Sequence, residues 1–130
     1  MKLSGRKIYQ GMVKGKALVT QMGISFYGGV DPDTGVISEK DHELLGKNIS
    51  GTILVFPRGK GSTVGSYTLY RLKKNGLAPA AIINKDCETI TAVGCIISEI
   101  PCIDQIEIET LETGMVLLVN GEEGTVEVVS

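Results

Sequence analysis

The hydrophobic positions of this chain fall in short runs separated by glycine-rich and charged stretches. Thr52-Ile53-Leu54-Val55-Phe56 is continuous, largely β-branched and five residues long. That pattern predicts a strand buried on both faces, and Pro57 ends it. Residues 79–84 and 100–103 read as two further strands of the same kind. Residues 6–20 read as two short strands around Gly11 and Gly15. Met115–Val119 and Thr125–Val129 flank Asn120-Gly121-Glu122-Glu123-Gly124, the pattern of a β-hairpin. Helical spacing is confined to two segments. Residues 62–75 can start on a Ser62 or Thr63 cap and stop at Asn75-Gly76, with Gly65, Ser66, Leu69 and Leu72 on one face. Residues 88–98 predict a second, shorter helix. Most of the strands lie outside the central strand–helix–strand unit. The expected fold is therefore mixed α/β, with a mixed sheet or barrel-like β layers and the helices on one side. No repeat, low-complexity stretch or linker divides residues 1–130, and the length fits one domain.

Two stretches fit neither period. Residues 22–37 are punctuated by Gly23, Gly28, Gly29, Asp31-Pro32 and Gly35. An irregular stretch this long in a small domain points to function. Residues 38–50 are polar and carry the single histidine, His42; with no nucleophile motif beside it, His42 reads as a solvated loop residue. Asp31, Asp33 and Gly35 hint at a calcium loop, but the glycine comes one place early and the twelfth position is His42 instead of Glu.

Composition narrows the function. The chain is 42% hydrophobic, enough for a core, but only 5% aromatic with no Trp, so that core must be Ile, Val, Leu and Ala. A net charge of −2 without a basic block argues against nucleic acid. No apolar run reaches the roughly 20 residues that span a bilayer, and no leader-like core opens the sequence, so a cytoplasmic protein is expected. The three cysteines, Cys87, Cys95 and Cys102, include no CxxC pair. Neither a disulfide framework nor a zinc site is indicated. Three thiols can in principle hold an iron–sulfur cluster, but Cys95 and Cys102 sit in apolar surroundings and read as small buried hydrophobes.

The segment richest in chemistry is Arg58-Gly59-Lys60-Gly61-Ser62-Thr63, between a buried strand and a helix. Helix-start N–H groups attract anions, two glycines permit close approach, Arg58 and Lys60 add charge, and Ser62 and Thr63 add hydroxyls. The loop reads as a phosphate or carboxylate site; the plainer reading is a capped turn with solvated basic residues. It is not a Walker loop, because Gly61 separates Lys60 from Ser62. Gly59, Gly61 and Gly65 miss the dinucleotide fingerprint by one position, and Asp86 only mimics its ribose-binding acid.

Three separated motifs agree in order: residues 25–35 (SFYGGVDPDTG), residues 59–67 (GKGSTVGSY) and residues 75–84 (NGLAPAAIIN). Together they resemble the small subunits of the phosphomevalonate dehydratases, in the aconitase X branch of the aconitase superfamily, over nearly the whole chain. The resemblance implies a swivelling β/β/α domain like the mobile terminal domain of aconitase. It also implies a hydro-lyase of the archaeal-type mevalonate route to isoprenoids. That enzyme converts 5-phosphomevalonate, a phosphorylated hydroxy acid, to trans-anhydromevalonate 5-phosphate, and it needs a separate large subunit carrying a 4Fe-4S cluster. By the same resemblance Ser62 is the proton acceptor. Arg58, Lys60, Gly61, Thr63, Ser25, Gly28 and Gly29 are then expected around the substrate, with no metal ligand in this chain. An exposed apolar patch for the large subunit is a further expectation. The alternatives are a hydroxyproline-dehydrating relative, a stand-alone anion- or nucleotide-binding module, and a pure scaffold.

Overall fold

The computed structural model describes residues 1–130. Eight strands form one mixed sheet in the order β1-β8-β7-β3-β4-β5-β6-β2. The strands are β1 (Lys2–Ser4), β2 (Arg6–Tyr9), β3 (Met12–Val19), β4 (Ile53–Phe56), β5 (Ala81–Asn84), β6 (Cys102–Asp104), β7 (Val116–Asn120) and β8 (Thr125–Val128). Strands β3, β4, β5 and β6 run parallel, while β2, β7, β8 and β1 pair antiparallel to their neighbours. The eight-residue β3 joins the two halves of the sheet. Its first half, Met12–Lys16, pairs with β7, and its second half, Ala17–Val19, pairs with β4. The sheet therefore folds over along β3. Only Gly5 separates β1 from β2, the two outermost strands, so the chain itself joins the sheet's edges. This is the barrel-like closure expected from the sequence.

Three helices complete the fold: α1 (Phe26–Gly29), α2 (Gly65–Lys74) and α3 (Thr89–Ser98). The first is a single distorted turn, with Tyr27 and Gly28 outside helical backbone geometry. Side-chain alternation on the central strands divides the core. Leu54, Phe56, Ile82 and Cys102 point to the helix side, joined by Leu69, Leu72, Cys95 and Phe26. Ile53, Val55, Ala81, Ile83 and Ile103 point the other way and pack against Leu117, Val119 and Val126 of the folded-over sheet. The layers are thus β/β/α. No helix is long and apolar enough to cross a membrane.

Boundaries shift by a few residues from expectation, and one expectation fails. Helix α2 begins at Gly65 and not at Ser62, because residues 62–64 form a preceding turn with Gly65 N–H on the Ser62 carbonyl. His42 is buried, 4% exposed, and not solvated. Its Nε2 donates to the Gly23 carbonyl at 3.1 Å, and its Nδ1 accepts the Leu44 N–H at 3.0 Å. The imidazole links residues 22–25 to residues 39–45, using polar atoms that its neighbours in sequence did not reveal.

Candidate functional site

Strand β4 delivers its chain to the carboxyl end of the parallel strands, where ligand crevices form in open α/β sheets. There residues 58–60 run beside residues 23–25. Ile24 N–H donates to the Arg58 carbonyl at 3.2 Å, and Lys60 N–H donates to the Ile24 carbonyl at 3.0 Å. Two loops far apart in sequence become one two-stranded ledge. Glu88 secures its other side. One carboxylate oxygen accepts the Gly59 N–H at 2.9 Å, and the other accepts the Thr91 N–H at 3.1 Å, capping α3.

Close packing explains the glycines of this ledge. A Cβ on Gly59 would strike Thr91 Oγ1 and sit 2.6 Å from Glu88 Oε1. Gly61 has φ +91° and its Cβ would lie 2.5 Å from Ser25 Oγ, so both backbone and space require glycine. Ser25 and Gly61 are therefore neighbours. Gly28 and Gly29 fall in α1 nearby. Gly29 is buried against Ser25 and Glu39, while Gly28 is exposed, with open space where a Cβ would stand.

Ser62 and Thr63 are exposed just before α2. Ser62 Oγ accepts the Val64 N–H at 3.1 Å. The N–H groups of Gly61, Ser62 and Thr63 donate to no acceptor within the chain. Three unused donors at a helix entrance, beside an exposed hydroxyl, can hold an anion or a developing oxyanion.

The two cations differ. Arg58 makes no ion pair or side-chain hydrogen bond. Lys60 Nζ lies 2.7 Å from Glu39 Oε2. Burial pushes the Glu39 carboxyl up, but Lys60 and the Ser25 N–H outweigh it and hold it below the usual carboxylate range. An open groove of about 450 Å³ runs along Arg58–Gly61 and Glu88–Ile90. Two more, of about 460 and 380 Å³, flank Val64 and Tyr67. Around them Tyr27, Val64, Tyr67, Val93, Ile96 and Ile97 are exposed, the last three on α3.

Sequence reasoning missed Glu39 and Glu88, which touch Lys60 and Gly59 across long sequence separations. Glu88 carried a faint signal as the first residue of a predicted helix; Glu39 carried none.

The cysteines do not suit a cluster. Cys95 and Cys102 are fully buried, and Cys87 Sγ lies 4.0 Å from Cys102 Sγ. That contact, and then burial, push the Cys87 thiol up, away from the thiolate that iron requires. No three His, Cys, Asp or Glu side chains converge so as to hold a metal.

The fold has close counterparts. Residues 2–128 match the family model described as the aconitase X swivel domain. The phosphomevalonate dehydratase small subunit of Methanosarcina acetivorans is 54% identical, covering 99% of this chain and 92% of the relative. That of Thermococcus kodakarensis is 52% identical over 98% of this chain and 96% of the relative. The crystal structure of Thermococcus kodakaraensis aconitase X in its holo form superposes with a TM-score of 0.99 at 50% identity, covering 100% of this chain and 99% of that one. The chain belongs to the aconitase X swivel-domain family.

Proposed function

We propose that this chain is the small subunit of a cytoplasmic phosphomevalonate dehydratase and that Ser62 is its proton acceptor. The observation that carries the reading is the setting of Ser62: an exposed hydroxyl among unused backbone donors, next in the chain to Gly61 of the groove, in a chain about half identical to named small subunits. The relatives' names favour this substrate over a hydroxyproline and favour a subunit over a stand-alone module.

In the reaction a carbon-bound proton and the hydroxyl of the neighbouring carbon leave together as water. Serine is a weak base at its ordinary pKa and needs its oxyanion stabilised. The Val64 N–H already points at Oγ, and the free N–H groups of Gly61–Thr63 add positive potential. Arg58 or Lys60 holds the substrate's carboxylate or phosphate. Thr63, Ser25, Gly61 and the Gly28-Gly29 turn line the cleft. A 4Fe-4S cluster on the large subunit supplies the Lewis acid for the departing hydroxyl. The exposed Tyr27, Val64 and Tyr67 beside the groove form the face for that subunit, whose docking would close the site. The three free thiols fit a reducing compartment.

The test is anaerobic co-expression with the candidate large subunit, followed by 5-phosphomevalonate and mass detection of the loss of one water. Both chains should be required. Ser62→Ala should lower kcat by at least about a thousandfold, the scale of losing an essential catalytic group, with assembly intact. A near-normal rate in that variant removes Ser62 from the role of base. A cluster-loaded complex that leaves this substrate untouched overturns the assignment of substrate.

A further inference from the structure

Glu39 belongs to none of the sequence motifs, yet it touches both strands of the ledge. Its Oε2 lies 2.7 Å from Lys60 Nζ, and its Oε1 accepts the Ser25 N–H at 3.2 Å. The Lys60 stem passes over Gly23, where a Cβ would stand 3.5 Å from its Cδ, and the side chain is half exposed. Lys60 and Arg58 both line the groove with Gly59, Gly61 and Glu88–Ile90, but Lys60 is drawn across Gly23 to an ion pair with Glu39 and Arg58 has no carboxylate partner.

Glu39 is itself held. His42 binds the Gly23 carbonyl, and Glu43 accepts hydrogen bonds from Thr20 Oγ1 and the Gln21 N–H. The side chains of residues 39–43 therefore grip residues 20–25 at four points: the Ser25 N–H, the Gly23 carbonyl, the Gln21 N–H and the Thr20 hydroxyl. Of the three side chains, only Glu39 also reaches residues 58–60.

We propose that Glu39 is a positioning residue: it clamps Lys60 and the Ser25 amide together two residues ahead of Ser62, and by cancelling the Lys60 charge it leaves Arg58 as the cation that meets the substrate's anionic group. The inference rests on the reading of the site given above and assigns its two cations separate tasks. A clamped lysine loses its rotamer freedom before substrate arrives, and a fixed ledge keeps Ser25, Gly61 and Ser62 in register. A formal ion pair offers a substrate phosphate less net attraction than an unpaired guanidinium, whose planar fork also suits two anionic oxygens.

The test compares Glu39→Gln, Lys60→Met, their double variant and Arg58→Met, each assembled with the large subunit. Arg58→Met should raise KM about tenfold or more with kcat within about threefold, the pattern of lost ground-state binding. Glu39→Gln and Lys60→Met should each lower kcat about tenfold with KM within about twofold, as misplaced reacting groups do. The double variant should be no slower than either single, since coupled residues are not additive. Lys60→Met raising KM as much as Arg58→Met, with Glu39→Gln silent, would place Lys60 directly on substrate and overturn the proposal. A wild-type complex that leaves 5-phosphomevalonate untouched would defeat the assigned reaction, and the clamp is then decided by carboxyl-detected NMR on this full chain. Lys60→Met should raise the Glu39 titration midpoint, and Glu39→Gln should shift the Ser25, Gly61 and Ser62 amide signals. Unchanged midpoint and amides would show that no clamp exists.

Discussion

One methyl group on Gly59 would meet two anchors at once, Thr91 Oγ1 and the Glu88 carboxylate. Thr91 is fully buried and cannot retreat. Gly59→Ala should therefore cost about 2 kcal/mol in stability, within the range for overpacked sites, measured by urea denaturation. It should also displace the Ser62 loop and lower single-turnover rate in the assembled enzyme. At this scale the sequence was legible where chemistry was local. Arg58–Thr63 announced itself because glycines, cations and hydroxyls are adjacent in the chain. Glu88 and Glu39 did not, because each meets the loop only after folding, across 29 and 21 residues. His42 misled for the same reason: its two partners lie in a turn whose path no periodicity reveals.

Among the elements, the pairing of β2 with β6 carries the most concentrated charge. Asp104 is fully buried at the end of β6. Its carboxylate accepts Arg6 Nε at 2.9 Å, Arg6 Nη2 at 2.7 Å and the Cys87 N–H at 2.9 Å. Burial pushes this carboxyl up, but Arg6 and the Cys87 N–H prevail and hold it below its ordinary range. The folded pKa thus lies below the unfolded value of about 3.9. Its contribution to stability is complete above that value and is lost as pH falls through the folded pKa. Asp104→Asn should cost about 1–3 kcal/mol at pH 7, the scale of charged hydrogen bonds. It should also flatten the acid limb of a stability–pH curve below pH ~4. An unchanged acid limb would move that dependence to Glu39 and Glu43, whose carboxyls are lowered too. Strands β4, β5 and β6 could be read from the chain because doubly buried strands are uniformly apolar. Strand β1 could not: three residues, Lys2–Ser4, are too few to show a period, and only pairing with β8 defines them.

For the whole molecule, the open face matters most. Tyr67 is 70% exposed, and Tyr27 and Val64 stand beside it. Replacing Tyr67 with Asp should leave the isolated chain's melting temperature nearly unchanged. It should weaken assembly with the large subunit by about 30-fold or more, the effect of losing an interfacial hot spot of about 2 kcal/mol. Analytical size exclusion of the mixed subunits reads this directly, and full assembly of the variant would place the interface elsewhere. The layered architecture was legible in outline because strands outnumber helices and cluster at both ends of the sequence. The fold-over along β3 was not, because nothing in Met12–Val19 marks the point where one strand changes partners.

The junction at Gly5 also sets an order in time. Strand β1 is made first but pairs with β8, which is made last, and β2 waits for β6. While the chain is being synthesised, its opening segment has no partner. The β4–β5–β6 unit can assemble before that segment docks. Closure is then the final event, and it gathers contacts of very long sequence separation, the condition for slow folding. Stopped-flow folding and unfolding rates should show that weakening the β1–β8 pair chiefly speeds unfolding and leaves folding nearly unchanged, because that seam is last to form and first to part.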